Sequence, residues 1–249
     1  MPKSAFETTS WSLIRAAGHH PSTGATEALG VLCQRYWQPV YLFIRRSGHD
    51  RAASEDLTQG FFALLIEKQY LLDADPARGR FRSFLLAATR HYLSNERDRA
   101  QAQKRGGGHA PISIDVAEIE AWHELSAVEL ETPESLYERR WALSVLKHVM
   151  ATLRAEFVAA GKAEEFDRLS GMLVRDGDAT SYESLAEPLG ISAGALRMSV
   201  HRLRRRYRAI LRAEIAMLVS SPDDVDEELR ALRAILSGTS HGTSTEGLR

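Results

Sequence analysis

Between Arg197 and Arg212 the chain carries seven arginines and no acid, in the run GALRMSVHRLRRRYRAILR. A guanidinium is a planar fork of donors that stays charged at any physiological pH. It suits phosphate oxygens and the paired acceptors on a guanine edge. Periodicity sorts the run into two faces: Leu196, Val200, Leu203, Tyr207 and Ile210 recur at steps of four, three, four and three, one inward stripe of a helix. Ser192 is placed to cap that helix. Ala193, Gly194, Arg197, Met198, His201 and Arg202 then fall on the outward side near its start, where base edges are reached. Arg204, Arg205, Arg206 and Arg208 follow, where phosphates are the expected contact. The small residues at 193 and 194 permit close approach to a duplex. Three other partners compete for the same charge: a membrane surface, an acidic protein (this chain's own acidic stretch included), and water. No P-loop, HExxH or strand-borne glycine fingerprint accompanies the run, and the histidines show no metal-ligand spacing. The expectation is therefore no enzyme, no metal and no cofactor.

The elements that must position these residues read as helices. Upstream of the run, Leu185, Ala186 and Leu189 share one side of a short helix. Gly190 permits the left-handed turn that ends it, and Ile191 is expected to point back to the core. Helix, glycine turn and helix make the helix-turn-helix pattern. Thr132-Pro133-Glu134 is a helix start, with Leu136, Leu143, Leu146, Val149, Met150, Leu153 and Phe157 as its apolar face. Nearer the N-terminus, Cys33, Tyr36, Trp37, Val40, Tyr41 and Ile44 lie on one helical face. A second helix opens at SEDL with Ser54 as its expected cap, and a third starts near Phe81. Cys33 is the sole cysteine, so an intramolecular disulfide is excluded, and it reads as a small hydrophobe.

Net charge is −1, because basic and acidic residues are segregated along the chain rather than absent. From Ser113 to Glu134 there are seven acids and no lysine or arginine. That stretch reads as a linker or a solvated loop. The expected fold is all-α, with two helical domains joined by an acidic linker and a helix-turn-helix in the second. The segments are an N-terminal piece 1–26, a helical domain 27–105, the linker 106–133, the helix-turn-helix domain 134–216, and a C-terminal helix with a tail, 217–249. No run has the length of a signal peptide's apolar core or of a membrane span, so the expectation is a cytoplasmic protein without membrane insertion.

Three segments in order, EDLTQGFFALL (55–65), RGRFRSFLLAATRHYLSNERDR (78–99) and YESLAEPLGISAGALRMSVHRLRRRYR (182–208), resemble the extracytoplasmic-function class of bacterial sigma factors, the promoter-specificity subunits of RNA polymerase. The resemblance covers most of residues 27–105 and 134–215. It implies that Glu55, Asp56 and Gln59 dock on core RNA polymerase, with Gly60 standing where the family usually has an acid. It implies further that Arg78, Arg80, Arg82, Arg90, His91, Asn95, Arg97 and Arg99 face the opened promoter strand. Cations along a backbone track and groups that can meet unstacked bases suit that role. The duplex promoter element would fall to Ser192, Ala193, Gly194, Arg197, Met198, His201, Arg202, Arg205 and Arg208. An anti-sigma factor or another regulator is a further partner that the resemblance allows. The rival readings are a free-standing helix-turn-helix regulator that binds its operator without polymerase, and an adaptor whose arginine helix grips an acidic protein.

Overall fold

The computed structural model describes residues 23–66, 80–102, 119–120, 132–173, 179–219 and 221–238. The N-terminal segment 1–22, Arg78, most of the acidic stretch and the tail beyond 238 lie outside the described residues. Among the described residues the chain is all-α. The helices are α1 (Thr23–Arg46), α2 (Arg51–Ile66), α3 (Phe81–Ala102), α4 (Pro133–Ala159), α5 (Ala163–Leu169), α6 (Ala179–Ala186), α7 (Ala193–Ala216) and α8 (Val225–Leu236), with no strand. Two compact units emerge, residues 1–144 with 215–249, and residues 145–214. The C-terminal extension and the first turns of α4 thus group with the N-terminal helices, not with the residues between them.

In the first unit the second half of α1 is its centre. Val40, Tyr41, Leu42, Phe43 and Ile44 are all buried, so here the helix is covered on every side rather than along one stripe. Aromatic edges join it to its neighbours. Tyr36 meets Phe81 of α3 at 5.2 Å between ring centres, and Phe43 meets Tyr137 of α4 at 6.5 Å. Phe61 of α2 lies 5.7 Å from Tyr92 of α3. Such pairs contribute about 0.5–1.5 kcal/mol each beyond the area they bury. Cys33 sits on the same helix, half-buried, and burial pushes its thiol up from 9.0 to about 11. A thiol so rarely ionised behaves as a small apolar side chain, not a nucleophile.

The cap of α2 differs from the sequence expectation. The helix begins at Arg51, and the carboxylate of Asp50 accepts from the Ala53 N–H at 2.8 Å. Ser54 is instead a buried residue of the first turn, its hydroxyl donating to the Asp50 carbonyl at 2.6 Å. Asp50 takes the cap because an aspartate is three residues ahead of a free N–H, and Ser54 is needed inward. Thr58, one turn on, is buried in the same way and donates to the Ser54 carbonyl. Gly60 follows on α2. A methyl placed there would lie 2.5 Å from the Tyr92 hydroxyl, so its lack of a side chain is what lets α3 approach.

Part of the acidic stretch is neither linker nor solvated loop. Ile119 and Glu120 form a helical turn within the first unit. Ile119 is fully buried with Tyr41 and Leu42, against Trp37. Glu120 accepts from the Tyr41 hydroxyl and from Arg45 Nε at 3.1 Å. A buried isoleucine draws the turn in, and a tyrosine and an arginine compensate the carboxylate that comes with it.

Helix α4 starts in the first unit, where Thr132 caps it, its hydroxyl accepting from the Ser135 N–H at 3.1 Å, and runs on into the second. From residue 145 onward α4 supplies Val149 and Leu153, both fully buried. Phe157 of α4 packs on Phe166 of α5, with ring centres 5.6 Å apart. Leu196, Val200, Leu203 and Ile210 of α7 are buried and Tyr207 is half-buried, which is the stripe read from the sequence.

Candidate nucleic-acid interface

The short turn before α7 sets that helix's direction. A 3-10 turn, Glu187–Leu189, continues α6 and ends at Gly190 with φ 65° and ψ 24°, the left-handed conformation that glycine adopts without strain. The Ile191 N–H donates to the Ala186 carbonyl at 3.3 Å, closing the helix end. Ile191 itself is 42% exposed, so it does not point back to the core as expected. The backbone bond ends the helix here without an apolar contact from that side chain. Ser192 then caps α7, its hydroxyl accepting from the Ala195 N–H at 3.1 Å.

The seven arginines divide once neighbours are counted. Arg204 is half-buried and donates to the Met172 carbonyl at 2.9 Å. Arg206 pairs with Glu156 of α4 through two hydrogen bonds, the Nε one at 2.7 Å. That pairing holds the Glu156 carboxyl below its ordinary range and raises Arg206. These two arginines fasten α7 within its own unit. Arg197, Met198, His201, Arg202, Arg205 and Arg208 are exposed, as are Ser192 and Gly194, and Ala193 is half-buried. Arg197 lies over the ring of Tyr182 on α6, 5.8 Å from its centre, a cation–π contact. Arg202 donates to the Ser199 hydroxyl one turn back at 3.0 Å. Arg197, Arg205 and Arg208, with His201 between them, therefore form a basic edge along the solvent side of α7.

On α3 the predicted strand-facing residues separate into two groups. Ser83, Ala87, Arg90, His91, Ser94, Arg97 and Asp98 are exposed at helical spacing, one face with small side chains between its cations. Arg90 is drawn to Glu134 at 2.6 Å and lies 5.9 Å over the Phe43 ring. Asn95 is half-buried beside His91, 3.4 Å between their nitrogens, and Arg99 pairs with Glu96. Arg82 belongs elsewhere, because it is 4% exposed. It lies 4.6 Å over the Trp141 ring and is held by Glu138 and by Glu228 of α8, the latter at 2.7 Å. Burial works against its charge, and the Glu228 and Glu138 carboxylates together more than offset it, so the guanidinium stays charged. Arg80 contacts Glu227 and, at 2.7 Å, the same Glu228. Arg82 is closed to a nucleic acid in this conformation, and Arg80, half-buried, is engaged by both carboxylates.

The residues singled out on α2 sit along its outer side. Asp56 is exposed, Gln59 half-buried, and Glu55 half-buried with an ion pair to Arg51 at 2.9 Å. Sequence reasoning missed Tyr182, Glu156, Glu227 and Glu228. Glu156 and Arg206 are fifty positions apart and Arg82 and Glu228 a further ninety-six, separations over which no periodicity speaks. Among the described residues no group of three or more His, Cys, Asp or Glu is arranged to hold a metal. No described helix is long and apolar enough to cross a membrane. No family model, curated protein or solved structure matches the chain.

Proposed function

We propose that the chain is an alternative sigma factor of the extracytoplasmic-function class, binding core RNA polymerase and directing promoter recognition, opening and initiation. The observation that carries the reading is the left-handed Gly190 turn followed by the Ser192-capped α7, with an exposed edge of Arg197, His201, Arg205 and Arg208. In this reading α6, the turn and α7 are a helix-turn-helix whose second helix lies in the major groove. Its N-terminal residues reach base edges: Arg197 suits the O6 and N7 of guanine, and Met198, 56% exposed, suits apolar contact with a thymine methyl. Arg205 and Arg208 lie two to three turns farther on and anchor phosphates, which adds affinity without sequence information. The exposed face of α3, with Arg90, His91 and Arg97, takes the opened strand, and Asp56 with its neighbours on α2 takes the polymerase.

The test combines purified protein with core polymerase. Co-purification and promoter-dependent transcripts in a genome-wide run-off are expected. Absence of both sinks the proposal. A gel shift separates the rival of a free-standing regulator, since tight operator binding without polymerase belongs to that rival alone.

A further inference from the structure

We infer that α8 is an intramolecular mask, its glutamates occupying a cationic site on the first unit that single-stranded phosphate backbone would otherwise take. The inference rests on the reading of α3 as the opened-strand surface. Arg80 and Arg82 stand at the start of α3, and one carboxylate bridges them: Glu228 Oε2 lies 2.7 Å from Arg80 Nε and Oε1 lies 2.7 Å from Arg82 Nε. Two oxygens of one anion, each against the Nε of a separate guanidinium, is also how a phosphate bridges two arginines. Glu227 adds a second carboxylate to Arg80 from the exposed side. Charge within α8 favours this placement, because Asp226, Glu227 and Glu228 form its first turn, where the helix dipole is positive. Ser221 caps the preceding 3-10 turn, accepting from the Asp223 N–H at 3.2 Å.

The two arginines would not be released equally. Without α8, Arg82 keeps Glu138 of α4 and the Trp141 ring. Arg80 loses both of its ion-pair partners among the described residues. Arg80 is thus the cation that uncovering α8 hands to a nucleic acid, while Arg82 remains a brace of the fold. What covers it is held by a modest apolar face, Val225, Leu232 and Ile235, on a helix of twelve residues. A polyanion that competes for Arg80 while α8 lifts as a unit fits this construction.

The test measures fluorescence anisotropy of a labelled, unstructured single-stranded DNA oligonucleotide with the full chain and with a chain ending at Ser220. Circular dichroism checks that the shorter chain keeps its helices. The expected result is roughly three- to tenfold tighter binding by the shorter chain, with a salt dependence steeper by about one phosphate contact. Arg80→Ala in the shorter chain should return both quantities to the full chain's values. Equal affinity of the two chains, or a gain that survives Arg80→Ala, overturns the mask while leaving the reading of α3 intact. Failure of both chains to bind overturns that reading and the mask with it. If the shorter chain does not fold, hydrogen exchange on the full chain decides. Saturating oligonucleotide should lower protection of the α8 amides 228–236, and unchanged protection overturns the proposal. No polymerase enters these measurements, so their outcome is separate from that of co-purification.

Discussion

At the scale of single residues, the informative positions are those whose neighbours change their meaning. Glycine inside a helix costs about 1 kcal/mol against alanine, which would make Gly60 a weakness. The Tyr92 hydroxyl reverses this, because the ring is buried and braced against Phe61, leaving a Cβ at 2.5 Å no room. Gly60→Ala should therefore destabilise by about 1–3 kcal/mol, as overpacking does. In a Tyr92→Phe background the same substitution should turn neutral or stabilising. Paired urea titrations read the sign, and a loss of the same size in both backgrounds would refute the contact. Arg197 and Arg208 divide similarly. On a bound duplex, Arg197→Ala is expected to relax preference at one base pair, costing about 1–3 kcal/mol against the preferred base. Arg208→Ala should weaken all sequences alike and reduce the salt slope by about one contact. Binding titrations across single-base variants of the site distinguish the two, and a uniform loss from both contradicts the division.

Among elements, α7 and α8 show how one helix can be fastened on one side and free on the other. The Arg206–Glu156 pair ties α7 to α4 within the second unit. It is exposed, so its contribution is below about 1 kcal/mol. Because the folded carboxyl is depressed, that contribution is present above the ordinary glutamate value of 4.5 and is lost as pH falls through the lower folded value. Glu156→Gln should remove this slice of the pH dependence and leave stability near pH 7 almost unchanged. Thermal melts from pH 3 to 7 check it. For α8 the apolar side dominates. Leu232 is buried, and Leu232→Ala should cost about 2–5 kcal/mol. The loss belongs to the first unit, so hydrogen exchange should quicken in α3 and not in α7. Loss of protection confined to α7 would place α8 in the wrong unit.

For the whole molecule, charge is the property that sequence totals conceal. A net charge of −1 gives no hint of the arginine edge on α7. Yet counting seven arginines on α7 as free would mislead in the other direction. With Arg204 and Arg206 engaged, the four arginines expected to meet a duplex, Arg197, Arg202, Arg205 and Arg208, remain exposed, as does Arg212 near the helix end. A duplex contact by these four implies a slope of log affinity against log salt of roughly −3 to −4, where seven free arginines would give about −6. Titrations between 50 and 200 mM salt measure it, and a slope near −6 would mean that the Glu156 pairing breaks on binding. Residues far apart in the chain cooperate in the first unit, where Glu228 and Arg82 are 146 positions apart. Truncations chosen at sequence boundaries such as 216 or 217 therefore cut into that unit's own core, since Leu218 and Val219 are buried.

Local patterns were enough to predict the helices, the buried stripe of α7, the Gly190 turn and the Thr132 and Ser192 caps. Each depends on residues within a turn or two of one another, where spacing alone dictates which side chains share a face. The arginine-rich edge was legible for the same reason. What required the tertiary structure was the fate of individual charges. Arg80 and Arg82 look identical to Arg90 and Arg97 in the sequence, yet the former pair is covered by carboxylates from the far end of the chain. Likewise Glu120 belongs to an acidic run and is nonetheless buried, because Ile119 beside it fills a gap against Tyr41 and Leu42. Periodicity tells which way a side chain faces on its own helix, and only packing decides whether it meets water or a distant partner of opposite charge.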